Sequence, residues 1–278
     1  MTGRTVALAA CVLACGSVAR AEGHVAPPPS APIPRDPVKL ATALRTTTGA
    51  VAHDVDGWRR AGAPAAPPST LTLDALYEQR LELALAENVP LARAVLPRLP
   101  PALAARIAGE LAAKRELWRL TPVSHRRHYT TGPAAPPLVL LGYYRAAERR
   151  FGVPWPLLAA VNFVESAFNK LRNDSVTGAQ GPMQFMPATW RAYGLGGDIH
   201  APRDAIMAAA NYLHANGSPG ENARALRRYN PSALYVEAVL HYANRIASDP
   251  RAFYEYYCWQ VFVRTAAGLR RITGPGLR

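Results

Sequence analysis

Cysteine is nearly absent from this chain, with three in 278 residues. Cys11 and Cys15 lie in or beside an apolar N-terminal stretch, so a processed chain keeps only Cys258, and one cysteine closes no internal disulfide. Stability must then come from burial, and Cys258, within "EYYCWQVFV", reads as a small buried hydrophobe. Acids are scarce as well, 19 against 32 Lys and Arg, giving a formal charge of +13. A chain this basic calls for polyanionic partners. Nucleic acid is not expected among them: the pairs Arg126-Arg127, Arg149-Arg150, Arg227-Arg228 and Arg270-Arg271 are scattered, as on solvated helix faces, and neither GxxxxGK[ST] nor zinc-finger spacing occurs. His125 and His128 flank two arginines without further ligands nearby, so no metal and no other cofactor is expected. No repeat of solenoid period and no convincing strand alternation is found. At most a short hairpin fits within 170–182, where "RNDSVTGAQG" is dense in turn residues.

What is present begins with an export signal over residues 1–21. Arg4 precedes the apolar "VALAACVLA", too short to span a bilayer, and "ARA" offers a small-x-small cleavage site before Glu22. Losing Arg4 and Arg20, with no acid beside them, leaves +11 on the mature chain. A second route stays open: "VLACG" resembles a lipoprotein signal that would leave Cys15 lipidated, although Leu13 is not the usual small residue. Either route places the protein in the cell envelope, with membrane contact only through a lipidated Cys15. There anionic wall polymers and lipid head groups are the polyanions at hand.

The 26 prolines cluster in "APPPSAPIPRDP" and "PAAPP", so residues 22–69 read as a proline-rich, low-complexity linker enclosing a short helical patch. Leu73, Leu76, Tyr77, Leu81 and Leu85, then Leu103, Ile107, Leu111 and Trp118, mark a helical N-terminal region over 70–120. A basic linker, 121–137, leads into a mainly α domain over 138–278. Helices are expected at about 138–151, 155–169, 187–193, 202–216, 220–229, 231–248 and 251–265, with Pro156, Pro187 and Pro231 near first turns, where a missing amide hydrogen costs nothing.

One carboxylate is out of place. In "PWPLLAAVNFVESAF" Glu165 shares a helix face with Leu158, Val161 and Phe168. Burying an ionised carboxylate is expensive, so the group must be paired, protonated or exposed in a cleft. A glutamate paired with a buried arginine is the structural alternative. A carboxyl in an apolar wall has a raised pKa and can donate a proton to a leaving oxygen near neutral pH, which glycoside cleavage requires. The only acid close in sequence is Asp174, in a loop.

The following block, "GAQGPMQFMPATW", joins a turn where Gly178 and Gly181 permit close backbone approach to Met183 and Gln184, whose amide suits sugar hydroxyls or acetamido groups. Trp190 and Tyr193 offer stacking surfaces or simple core. "RYNPSALYVEAVLHYA" sets Tyr229 and Asn230 at a helix junction, with Tyr235 in the next helix. "ESAF", the S-x-x-G-A-x-G-x-M-Q block from Ser175 to Gln184, "AAANYL" and "YN" followed by "YVEAV" together resemble the lytic transglycosylases of bacterial cell walls, from about Leu138 to Ile246. The resemblance implies a lysozyme-like helical fold with a glycan cleft. It also implies a glutamate, here Glu165, that serves as acid and then base in cleaving the MurNAc–GlcNAc bond of peptidoglycan to leave a 1,6-anhydro end. By the same resemblance Ser175, Gln184 and Tyr229 orient substrate or glutamate, and Met183, Asn230 and Tyr235 line the cleft. The chain departs from the commonest pattern with "GPMQ" for G-L-M-Q and "RYN" for A-Y-N. Two alternatives stay open: a hydrolytic muramidase with a second carboxylate such as Asp174, and a non-catalytic wall-binding module.

Overall fold

The computed structural model describes residues 24–64 and 66–277. The export signal, its cleavage site and Cys15 lie outside the described residues. The architecture is mainly α: eleven α-helices and one two-stranded hairpin among the described residues.

The segment 22–69 is not a linker throughout, which corrects the reading above. Pro37–Arg60 forms α1, a 24-residue helix started by Pro37 and capped by Asp36, whose carboxylate accepts from the Val38 and Lys39 amides at 3.0 and 2.9 Å. Leu40, Leu44, Val51, Val55 and Trp58 form one stripe at helical spacing and are all buried. Burying each such side chain fully is worth about 1.5–3 kcal/mol, enough to hold the helix against the body despite its proline-rich flanks. Those flanks dock too: Arg80 donates to the Pro29 carbonyl at 3.0 Å and Tyr77 to that of Pro32 at 3.2 Å.

Helices α2 (Ser69–Glu87), α3 (Val89–Val95) and α4 (Pro101–Leu120) close a small core with the first half of α1, around Leu44, Leu81, Leu85, Ile107 and Leu111. The main core takes the second half of α1 together with α5 (Pro137–Phe151), α6 (Trp155–Ser166), α8 (Pro202–Ala215), α10 (Ala233–Ser248) and α11 (Arg251–Cys258). Short helices α7 (Pro187–Tyr193) and α9 (Asn222–Tyr229) lie at its edge. Helix α10 packs against both α4 and α6, so it joins the N-terminal helices to the main core.

That junction is ionic. Arg106 of α4 lies 2.7 Å from Glu78 and 3.5 Å from Glu82 of α2, and both carboxylates are buried. Arg245 of α10 reaches Glu255 of α11 at 2.5 Å and Glu110 of α4 at 3.6 Å, and His241 stands 3.5 Å from Glu110. Burial pushes the Glu82 carboxyl well above its usual range and that of Glu255 to about 7, with Arg106 and Arg245 respectively opposing the rise.

Two other expectations change. The helix expected over 251–265 ends at Cys258, and Phe262–Thr265 (β1) pairs antiparallel with Gly268–Arg271 (β2). Within 170–182 there is no hairpin but two isolated bridges, Thr131 with Leu171 and Gln180 with Phe185. The first ties the 121–137 segment, otherwise without helix, to the chain just after α6.

Candidate functional site

Helix α6 is apolar almost all round, and Leu157 to Val161 are wholly buried or nearly so. It stops one turn earlier than its pattern implies, because Ala167, Phe168 and Asn169 turn left-handed with φ of 50°, 62° and 67°. Three such non-glycine residues in a row are costly and persist only where surrounding packing fixes them. Phe168, fully buried, supplies that packing through Phe253 at 5.6 Å and Phe163 at 5.6 Å. The turn leaves Glu165 in the last turn of α6, half-buried rather than sealed in the core.

Tyr235, in the first turn of α10 and itself buried, donates its hydroxyl to Oε1 of Glu165 at 2.6 Å. Burial pushes the Glu165 pKa up to about 7, and the Tyr235 hydrogen bond opposes the rise. No other charged group contributes to that shift. Asp174 in particular is exposed, in a loop whose backbone carbonyl accepts from Arg126 at 3.3 Å. The partner-arginine explanation for Glu165 therefore fails. Tyr229, at the end of α9, belongs to the same cluster: burial raises its phenol far above the ordinary value, and the Glu165 charge adds to the rise.

The floor beneath Glu165 is a hydrogen-bonded seat that sequence reasoning missed. Asn162 and Ser166, one turn apart on α6 and buried, both donate to the carbonyl of Pro182, at 2.8 and 2.7 Å. Tyr144 of α5 donates to Asn162 Oδ1 at 2.6 Å. A polar pair at i and i+4 on an otherwise apolar helix was the available signal. Pro182, the departure from the commonest pattern, is buried and needs no amide partner, while its carbonyl is doubly satisfied. From this seat the turn runs on through Met183, whose carbonyl accepts from the Tyr229 hydroxyl at 2.6 Å. Gly181 has φ of 73°, and a Cβ there would overlap the Ile199 carbonyl oxygen, so close approach does require glycine.

The remaining expected site residues fall in different places. The Met183 side chain is fully buried in the main core, so it does not line a cleft; only its carbonyl takes part. Gln184, at φ of 49°, turns its amide to the carbonyls of Gly181 at 2.9 Å and Asn173 at 3.4 Å. Ser175 closes its own loop, accepting from the Ala179 amide at 2.9 Å and meeting Thr177. Asn230 ends α9 and shapes the turn into α10, its side chain accepting from the Ser232 amide at 3.1 Å. The structure thus brings Glu165, Tyr229 and Tyr235 together, holds Gln184 on the adjoining turn, and gives Ser175 and Asn230 loop-shaping bonds.

Aromatic rings form the wall beside Tyr229. Its ring meets Phe185 at 5.8 Å and Tyr212 at 5.5 Å, Trp190 meets Phe185 at 5.5 Å, and Tyr193 meets Tyr212 at 4.8 Å. Trp190 and Tyr193 are half-buried, partly core and partly accessible surface. Among the described residues no group of three or more His, Cys, Asp or Glu is placed to hold a metal ion, and no helix is long and apolar enough to cross a membrane. Chemically, the arrangement offers one carboxyl that carries its proton near neutrality and is held by a tyrosine.

Residues 142–247 match the family model described as Transglycosylase SLT domain. No curated protein and no solved structure matches the chain.

Proposed function

From the premise that residues 142–247 form a transglycosylase SLT domain, of the lysozyme-like peptidoglycan lytic transglycosylase family, we propose that the protein cleaves the MurNAc–GlcNAc bond with Glu165 as the only carboxyl group in the chemistry. The observation that carries this reading is the Glu165 environment: a pKa near 7, set by burial and Tyr235 with no second carboxylate acting on it.

The sequence of events follows from that pair. Tyr235 occupies Oε1, which leaves Oε2 to carry the proton. Glu165 gives it to the glycosidic oxygen as the C1–O bond breaks, and GlcNAc leaves with a restored hydroxyl. The muramic acetamido group supports the positive charge developing at C1. Glu165, now ionised and stabilised by the Tyr235 hydroxyl, takes the proton of the muramic O6 hydroxyl as that oxygen attacks C1. The product is a 1,6-anhydro end, Glu165 is protonated again, and no water is consumed. A group that acts first as acid and then as base works best with a pKa near the working pH, as here.

Of the expected substrate contacts, Tyr229 feels the Glu165 charge and fits an orienting role, and Gln184, on the turn that follows the Pro182 seat, fits one through the substrate. Ser175 and Asn230 shape the loops that border the site. The substrate places the protein in the cell envelope, reached through the export signal at 1–21 or the lipoprotein route at Cys15.

Hydrolysis on the same fold needs a base to activate water, and Asp174 is the residue the sequence offers. Digestion of purified peptidoglycan by the wild type and Asp174→Asn, with released muropeptides weighed by mass spectrometry, separates the two. Anhydro-ended products from both, at similar rates, are expected. Reducing-end products that vanish in Asp174→Asn would make the protein a hydrolase, and wall binding without any product would make it a binding module.

A further inference from the structure

Arginines that look scattered in sequence converge in the structure, three of the four outside the segment matched by the family model. Arg126 and Arg127 lie in the 121–137 segment, and Arg270 lies on β2. The Arg270 guanidinium donates to the carbonyls of Arg126 and Arg127 at 3.2 and 3.4 Å and stands 5.3 Å from the centre of the Tyr129 ring. The Ser124 amide bonds the Arg264 carbonyl at 2.8 Å, fixing the segment against β1. Arg172 joins from the chain after α6, where its amide bonds the Thr130 carbonyl at 2.9 Å. All four of these guanidinium-bearing residues, 126, 127, 172 and 270, are exposed, as are His125 and His128.

None of them has an acid within ion-pair distance among the described residues. Five arginines elsewhere are matched, Arg59 and Arg251 with Asp56, Arg106 with Glu78, Arg224 with Glu221 and Arg245 with Glu255, while other exposed ones such as Arg149 and Arg191 are as unpaired as these. What sets this group apart is that residues distant in sequence are drawn together on one surface. Here the guanidiniums of Arg126, Arg172 and Arg270 are held by backbone carbonyls, which fix their positions without cancelling their charge. Asp174, whose carbonyl Arg126 bonds, is an acid beside the group but makes no ion pair with it. Gathering like charges on one surface without close pairing costs energy in the free protein that is recovered when an anion docks. The surface also adjoins the candidate site. The Thr130 amide bonds the Asn173 side chain at 2.8 Å, and the Asn173 carbonyl in turn accepts from Gln184 at 3.4 Å.

We propose that Arg126, Arg127, Arg172 and Arg270 form a docking surface for the carboxylates of peptidoglycan peptide stems, which holds the stem-bearing strand beside the Glu165 site. The inference rests on the glycan-cleaving reading of that site. Stem carboxylates are the anions borne by the same strand that the site takes, so contact with them follows wherever the strand is seated. Phosphodiester polymers attached to the wall carry the same sign of charge and are the rival source.

The test is binding, not cleavage, so it does not depend on the chemistry. The full chain carrying Glu165→Gln is sedimented with insoluble peptidoglycan stripped of phosphodiester polymers by hydrofluoric acid. Arg126→Glu/Arg127→Glu is compared with Arg149→Glu/Arg150→Glu, an exposed pair at the end of α5 that makes the same change in net charge. The first pair is expected to raise Kd about tenfold, in line with two exposed charge contacts reversed, and the second less than about twofold. Amidating the stem carboxylates with carbodiimide and ethanolamine should abolish the difference. Arg127→Glu alone, whose side chain makes no hydrogen bond, ion pair or ring contact among the described residues, should show part of the effect with unchanged thermal stability. Equal losses in both pairs would reduce the effect to net charge and overturn the proposal. So would a difference that survives amidation, or one seen only before hydrofluoric acid treatment, which would assign the surface to phosphodiester polymers.

Discussion

The state of Glu165 has a consequence for stability that can be read without any substrate. Its carboxyl titrates near 7 in the folded protein against an ordinary 4.5. Below pH 4.5 it is protonated folded and unfolded, and its burial costs little. Between 4.5 and 7 the folded state holds a proton that the unfolded state has lost, so stability falls as pH rises through this window. Above 7 the loss is constant, and at 1.36 kcal/mol per pH unit it reaches roughly 3 kcal/mol. Glu165→Gln has nearly the same shape, offers Tyr235 an oxygen, and is neutral at every pH. It should match the wild type at pH 4.5 and be more stable by up to about 3 kcal/mol at pH 8, a rise in Tm of about 5–10 °C for a chain of this size. Thermal unfolding of both proteins by circular dichroism at pH 4.5, 6, 7 and 8 gives the comparison, and carboxylates common to both cancel in the difference. A Tm difference that does not change with pH would refute the buried, proton-holding state of Glu165.

Three further outcomes are expected. Tyr235→Phe removes the hydrogen bond that favours the Glu165 carboxylate, worth about 1.5–3 kcal/mol for a charged acceptor, so the alkaline limb of kcat/KM should move up from near pH 7 by about 1–2 units; an unmoved or lowered limb in the pH–rate profile counts against the pairing. Asn162→Leu strips partners from the buried Tyr144 hydroxyl and leaves Pro182 with Ser166 alone, and should cost about 2–4 kcal/mol in urea unfolding, with a larger fall in kcat than rise in KM as the Met183–Gln184 turn loosens. Arg106→Ala leaves Glu78 and Glu82 buried without their cation and should cost about 3–5 kcal/mol by the same method; a loss below about 1 kcal/mol would show that the junction of α2 and α4 does not depend on the pair.

Glu165 was legible because one acid in an apolar helix has few physical explanations, and its neighbours Tyr229 and Tyr235 were legible through the motif blocks. Prolines near helix starts were legible because a missing amide hydrogen costs nothing there, as Pro156 and Pro187 show, whereas Pro231 lies just ahead of the Ser232 cap of α10 rather than in its first turn. The helical patch that becomes α1 was legible, but its place in the core was hidden by composition: prolines on either side outweighed a stripe running from Leu40 to Trp58. The hairpin was hidden because Phe262 and Val263 continue the apolar run of α11, and the turn through Ala266 and Ala267 carries no strong turn signal before Gly268. Met183 was misplaced because its contribution is a backbone carbonyl, which leaves no mark in sequence, while its side chain belongs to the core. The ionic junction and the arginine surface were missed for a shared reason. Charges spaced along separate helices and loops look solvated until the fold brings Glu78 to Arg106 and Arg270 to Arg126.

The most direct test of the account is the action of Glu165→Gln on purified peptidoglycan beside the wild type, with the released fragments weighed. The account predicts 1,6-anhydro-ended muropeptides from the wild type and none from a folded, wall-binding Glu165→Gln. Anhydro products from the variant at a comparable rate would contradict Glu165 as the proton donor.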